Sequence, residues 1–208
     1  MGVCLTVPTT DVVGPWTRRD RRLAYANPWI EVYDDDVIQP DGEPGTYGVV
    51  HPKFLAVGIV ALDEDGSVLL VGQHRYALDL FSWGIPGGGV PFDEDPLDGA
   101  KRELAEETGA TATSWHELAR FTLSNSITDG RGMVFLARGL SDGERQLDGT
   151  EAGMETRRVP LDEALRSVDT GEIHDVFTQV GLLAAERYLL RSGDVGLHVG
   201  PGGHARDV

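Results

Sequence analysis

The chain has 208 residues and a mass of 22.5 kDa, room for one ordinary domain with appendages and a sizeable core. Eighteen Lys and Arg stand against thirty-four Asp and Glu, a formal charge of −16. A field of that sign repels nucleic-acid backbones and anionic membranes, so neither is expected as a partner. The single cysteine, Cys4, excludes an internal disulfide. With no long apolar run, and no basic start followed by an apolar stretch, the chain reads as cytoplasmic.

Residues 1–26 mix Pro and Thr with the cluster Arg18, Arg19, Arg21 and Arg22 and show no clear period, which reads as an N-terminal arm or a short edge element rather than core, with a solvated basic patch. Over 27–50, the alternation from Trp29 to Tyr33, the turn-forming stretch Pro40 to Gly45 and the run Thr46 to Val50 predict an antiparallel pair of strands. The apolar runs Phe54 to Leu62 and Ser67 to Gln73, separated by Asp63-Glu64-Asp65-Gly66, predict a core hairpin. A glycine loop, Gly87-Gly88-Gly89, precedes a helix that Asp95 caps, Pro96 opens and Gly109 ends.

Strands are expected near Trp115 to Leu123, Met133 to Ala137 and Arg157 to Val159, with a polar loop from Ser141 to Glu155. Two helices follow, Leu161 to Val168 and Val176 to Leu190, the second with Val180, Leu183, Ala184 and Tyr188 on one face. The glycine-rich stretch 193–208 reads as a flexible tail.

The chemistry concentrates on the first helix. Glu103, Glu106 and Glu107 stand at i, i+3 and i+4, so all three carboxylates share one face. Such crowding is unfavourable without a counter-charge, and a hard divalent cation takes oxygen ligands of this kind. A diphosphate could then bridge the ions, and a bound cation would reverse the local field for an anionic substrate. A salt-bridged surface helix is the competing reading, since Arg102 and Glu106 are also four apart. The preceding glycines would let the backbone approach a phosphate or a metal, or would serve a tight turn.

Reading from Gly88, the pattern is five residues, Glu94, seven residues, then Arg102-Glu103-Leu104-Ala105-Glu106-Glu107-Thr108-Gly109. It resembles the signature box of the Nudix hydrolases at every polar position, over residues 88–110. The flanks Gln73-His74-Arg75-Tyr76, Ser82-Trp83 and Gly171 to Asp175 are similar to the ADP-ribose pyrophosphatase branch. The resemblance implies an α/β (α+β) fold, a Nudix-like mixed sheet sandwiched between helices in residues 51–192, with an N-terminal antiparallel strand extension over 27–50 that serves dimerisation.

It further implies Mg²⁺-dependent hydrolysis, with Mn²⁺ as the alternative ion, of a nucleoside diphosphate derivative such as ADP-ribose or a related nucleotide sugar. The products are a nucleoside monophosphate and a sugar phosphate. By the same resemblance Glu103, Glu106, Glu107 and the Gly87 carbonyl hold the metal, Arg102 orients the glutamates and Glu94 braces the loop. The general base falls on a late loop, Glu151 first and Glu155 second. Arg75 contacts the phosphates, and Trp29 and Tyr47 stack on the base, Trp29 reaching the site of a partner chain in a homodimer.

Gly84 stands where this branch usually has a glutamate, and Ala110 where it has a larger aliphatic residue. Two readings therefore compete with the hydrolase of nucleotide sugars: a nucleotide-sensing module without turnover, and a pyrophosphohydrolase of dinucleoside polyphosphates or coenzymes.

Overall fold

The structure is a computed structural model that describes residues 11–147, 149 and 153–193. The expected tail lies outside the described residues. The described residues divide into two compact units, one built from 11–55 with 122–131, the other from 56–121 and the described residues after 131.

In the first unit, strands β1 (Asp11–Val13), β2 (Trp16–Ala26), β3 (Ile30–Ile38) and β4 (Pro44–Pro52) form an antiparallel sheet in that order. Residues 122–131 are tied to it through Val50 N–H to Ile127 O at 2.9 Å and the Tyr47 hydroxyl to Ser126 O at 2.7 Å. The arm expected over 1–26 is corrected for its second half, because β2 is a full strand of 11 residues paired along β3. Its arginines are largely exposed, as expected, but each is paired with an aspartate. Arg21 grips Asp35 through two bonds of 2.7 Å, Arg19 and Arg22 reach Asp36 and Asp34 at 2.5 Å, and Arg18 bonds Asp11. Cross-strand pairs of this kind contribute roughly 0.2–1 kcal/mol each, and here they stand in for apolar burial on a mostly exposed strand.

The second unit holds β5 (Phe54–Leu62), β6 (Ser67–Arg75), β7 (Leu80–Gly84), β8 (Gly87–Pro91), β9 (Thr111–Thr122), β10 (Arg131–Ser141) and β11 (Glu155–Pro160). Its helices are α1 (Pro96–Thr108), α2 (Leu161–Asp169) and α3 (Val176–Ser192). The sheet order is β11-β6-β5-β10-β9, with β7 on β6 and β8 on β5. It is mixed, since β10 runs parallel to β5 while β11 and β7 run antiparallel to β6. The Asp63 to Gly66 turn closes the β5–β6 hairpin through Asp63 N–H to Ser67 O at 2.9 Å.

Strand alternation splits the core into two layers. Val60, Leu62, Val68, Leu70, Val134 and Leu136 pack with Leu161 and Ala164 of α2 and with Leu182, Ala185 and Leu189 of α3. Ile59, Ala61, Leu69, Val71, Met133 and Phe135 are buried on the opposite face, where the start of α1 lies beside Met133 and Phe135. The sheet is thus sandwiched between helices. Among the described residues no helix is long and apolar enough to cross a membrane.

Two elements differ from expectation. The glycine segment is a strand rather than a loop: a Cβ on Gly87 would sit 2.1 Å from the Val57 carbonyl oxygen, so only bare backbone can lie this close to β5. Helix α3 buries Thr178, Gly181, Leu182, Ala185 and Leu189, whereas Leu183, on the face that the sequence spacing picks out, is 48% exposed. The outward Val176, Leu183 and Leu190 blur the apolar period, and Thr178 and Gly181 carry no hydrophobic signal. Leu182→Ala is therefore expected to lower stability by about 2–5 kcal/mol, and Leu183→Ala by no more than about 0.5 kcal/mol. Urea unfolding of both variants checks the assignment, and the opposite ranking would overturn it.

Candidate active site

Local chemistry fixes the ends of α1. The Asp95 carboxylate accepts from Leu97 N–H at 2.9 Å, Pro96 takes the first helical position, and Gly109 closes the helix at φ 74° with its N–H donating to Ala105 O. A Cβ on Gly109 would lie 2.3 Å from the Gly143 carbonyl oxygen. The last turn has no basic residue of its own. Arg145 supplies one, donating from Nε to Glu107 O at 2.8 Å and from Nη2 to Met154 O at 2.9 Å, while Gln146 N–H donates to Glu106 O at 2.9 Å. No pattern in the sequence marks Arg145, because its stretch is polar and without period.

The structure brings the acids of α1 onto the glycine strand. Glu103 and Glu107 are 8% and 3% exposed. Glu107 Oε2 accepts from Gly87 N–H at 2.8 Å, and a Cβ on Gly88 would fall 2.3 Å from Glu103 Oε2. Arg102 lies among the carboxylates: Nη1 donates to Glu103 at 2.8 Å and to Glu106 at 3.1 Å, and Nη2 to Glu94 at 3.2 Å. The hydrogen bonds to Glu94 first, and then to Glu103, outweigh partial burial and raise the guanidinium pKa above its ordinary value.

Arg102 thus faces three carboxylates, Glu94, Glu103 and Glu106, while Glu107 turns to the Gly87 amide. Among the described residues no three acidic or imidazole side chains converge on one point, because Glu103 and Glu106 both turn to Arg102. By the chemistry of its donors the cluster fits a hard divalent ion: oxygen ligands only, three carboxylates sharing one arginine, and one half-exposed member, Glu106, beside two buried ones.

A family model described as NUDIX domain matches residues 52–181. The chain belongs to this family. A second, described as nucleoside diphosphate sugar hydrolase N-terminal domain, matches residues 16–50, the span of β2 to β4 up to its last residues. Over 169 residues, 81% of each chain, the Nudix chain is 34% identical to a CMP-5'-(N-acetyl-N-hydroxy-3-aminopropyl)phosphonate hydrolase of Streptomyces rubellomurinus. It is 36% identical over 152 residues to the ADP-ribose pyrophosphatase of Bacillus subtilis, covering 72% of this chain and 80% of that one. The crystal structure of an ADP compounds hydrolase superposes with a TM-score of 0.78 over 89% of this chain and 100% of that one, at 19% identity, and so shows the same fold. The chain is a Nudix hydrolase, and enzymes of this family generally use divalent metal ions.

Other residues singled out in the sequence lie elsewhere. Arg75 ends β6, exposed, beside the β6–β7 turn. Glu151 lies outside the described residues. Glu155 opens β11 opposite Gly72, and alternation sends it to the same face as Arg157, which stacks on Trp83 at 4.2 Å, and Val159, which packs toward α2 and α3. Glu155 therefore points away from the sheet face that carries α1. Ala110 is fully buried.

Trp29 and Tyr47 do not meet within one chain. Lys53 N–H donates to Trp29 O, and Tyr47 lies six residues back along β4, about 20 Å at 3.4 Å per residue. Trp29 is 64% exposed, whereas Tyr47 packs edge-on against Trp16 at 5.4 Å and lines a cavity of about 330 Å³ within the first unit.

Removing the Glu107 carboxylate leaves the Gly87 amide without this acceptor. Glu107→Ala is expected to cost about 1–3 kcal/mol of stability, and Glu107→Gln, whose amide oxygen can still accept, distinctly less. Urea midpoints of the two variants measure the difference, and equal losses would mean that the bond to Gly87 contributes nothing.

Proposed function

We propose that this Nudix hydrolase cleaves the diphosphate of ADP-ribose or a related nucleotide sugar with Mg²⁺ bound, releasing a nucleoside monophosphate and a sugar phosphate. One observation carries the reading: a matched NUDIX domain in which Glu103 and Glu107 are seated on a strand of bare glycine backbone while Arg102 binds Glu94, Glu103 and Glu106. The relatives named above, two of them by nucleotides carrying a further group, support the substrate class.

In this proposal Glu103, Glu106 and Glu107 hold the ion, with the Gly87 carbonyl as a further ligand. A divalent ion bound there would neutralise phosphate oxygens and lower the pKa of a water. Arg102 fixes the carboxylates of Glu103 and Glu106, and Glu94 holds Arg102 in turn. Arg75, an exposed guanidinium, suits bidentate contact with the substrate phosphates. In the same proposal Glu151 takes the proton of the attacking water, with Glu155 as the runner-up, and the facing of Glu155 away from α1 favours Glu151.

With Trp29 and Tyr47 about 20 Å apart in one chain, their stacking on both sides of one base would draw one ring from each of two chains. A homodimer through the N-terminal sheet meets that condition, and the exposed Val12, Val13, Leu23, Tyr25 and Trp29 supply apolar surface for it to bury. The cytoplasm, with its nucleotide pool, is the compartment that suits this activity.

A panel of nucleoside diphosphate derivatives, assayed for monophosphate release with Mg²⁺ and with Mn²⁺, tests the reading; chelation should abolish turnover and added ion restore it. In that assay Glu106→Gln should lose at least about 100-fold in kcat, Glu151→Gln about 100-fold or more, and Glu155→Gln less than about threefold. No turnover on any member of the panel would remove the assignment. Sedimentation should give a species near twice 22.5 kDa, and Trp29→Ala should raise KM more than it lowers kcat. A monomer with full activity would exclude the shared site.

A further inference from the structure

Four consecutive residues lead from β7 into the glycine strand, and each is held by a different neighbour. Gly88 abuts the Glu103 carboxylate, Gly87 N–H donates to Glu107, and Pro86 O accepts from Ile59 N–H of β5 at 2.8 Å. Ile85 is held by α3. Its N–H donates to Thr178 Oγ1 at 3.0 Å, and its side chain fills a gap between Gly58 and Gly181, where a Cβ on either glycine would come within 2.9 Å of Ile85 Cδ1.

Thr178 is completely buried, and its hydroxyl both accepts and donates. It accepts from Ile85 and donates to Asp175 Oδ2 at 2.7 Å, and the same Asp175 oxygen caps α3 by accepting from Thr178 N–H at 2.9 Å. The pair occupies the space beside Gly84: a Cβ there would lie 2.8 Å from Thr178 Oγ1 and 3.7 Å from Asp175 Oδ2. A hydroxyl that must both accept and donate can be supplied by Ser but not by Val.

We infer that Thr178, oriented by Asp175, is a positioning residue for the ion-binding carboxylates. It fixes the Ile85 amide and thereby the approach of Gly87 and Gly88 to Glu107 and Glu103, across 93 residues of sequence. This inference rests on the ion-binding role proposed for α1. Partners that orient a metal's ligands typically change ion affinity or activity by about 10–100-fold when removed.

The test compares Thr178→Val, Thr178→Ser and Asp175→Asn with the parent chain in two measurements: Mn²⁺ titration followed by electron paramagnetic resonance, and steady-state hydrolysis of ADP-ribose. Thr178→Val should weaken Mn²⁺ binding about tenfold and lower kcat about tenfold, with KM changed less than about twofold. Thr178→Ser should restore both values to within about twofold, and Asp175→Asn should fall between them. Amide exchange should show Gly87 N–H losing protection in the Val variant while the β5 and β10 amides keep theirs. A Val variant with parental Mn²⁺ affinity, kcat and Gly87 protection would overturn the inference, as would a Ser variant that rescues none of them. The Mn²⁺ arm needs no substrate, so a parent chain that binds the ion but hydrolyses nothing removes the substrate assignment alone, and the binding ratio still decides the role of Thr178.

Discussion

The second unit is organised by the contact between backbone that carries no side chains and carboxylates that carry too much charge. Glu103 and Glu107 are buried on α1, and burial of charge is costly unless it is paired or hydrogen-bonded. Arg102 pairs with Glu103, and the Gly87 amide serves Glu107, which is possible because neither Gly87 nor Gly88 interposes a Cβ. The rest of the arrangement follows from keeping those two elements together. β8 is pressed onto β5, the C-terminal carbonyls of α1 are satisfied by Arg145 and Gln146, and α3 grips the residues just before the glycines.

What could be read from the sequence is what local chemistry determines. Asp95, Pro96 and Gly109 mark the ends of α1 because capping and the left-handed closing residue act within a few positions. The β5–β6 turn was legible for the same reason. The acidic triad was legible because helical spacing alone puts three glutamates on one face, and the resemblance of the box added the family to that geometry.

What escaped depends on distant partners. The arginines of β2 look like a solvated cluster until Asp34, Asp35 and Asp36 come to lie opposite them, an event that strand pairing decides and composition does not. The glycine strand reads as a loop because its pairing rests on the absence of side chains rather than on a β-forming pattern. Thr178 and Arg145 have no local signal, since each acts on a residue at least 38 positions away, and the part Asp175 plays beyond capping its own helix runs through Thr178. The facing of Glu155 follows from the register of β11 with β6, which a single sequence does not disclose.

The wedge of Ile85 between two glycines divides the protein into regions with very different histories open to them. Where α3 and β5 close on that side chain, an added methyl group displaces Ile85, so a change at either glycine is coupled to the seating of Ile85. Gly48 in the N-terminal sheet has open space around it and an ordinary backbone, and the outer side of α3 already tolerates bare leucine. Descendants of this chain can therefore diversify in the sheet and along that outer flank, acquiring new surfaces while the chemistry they inherit stays in place.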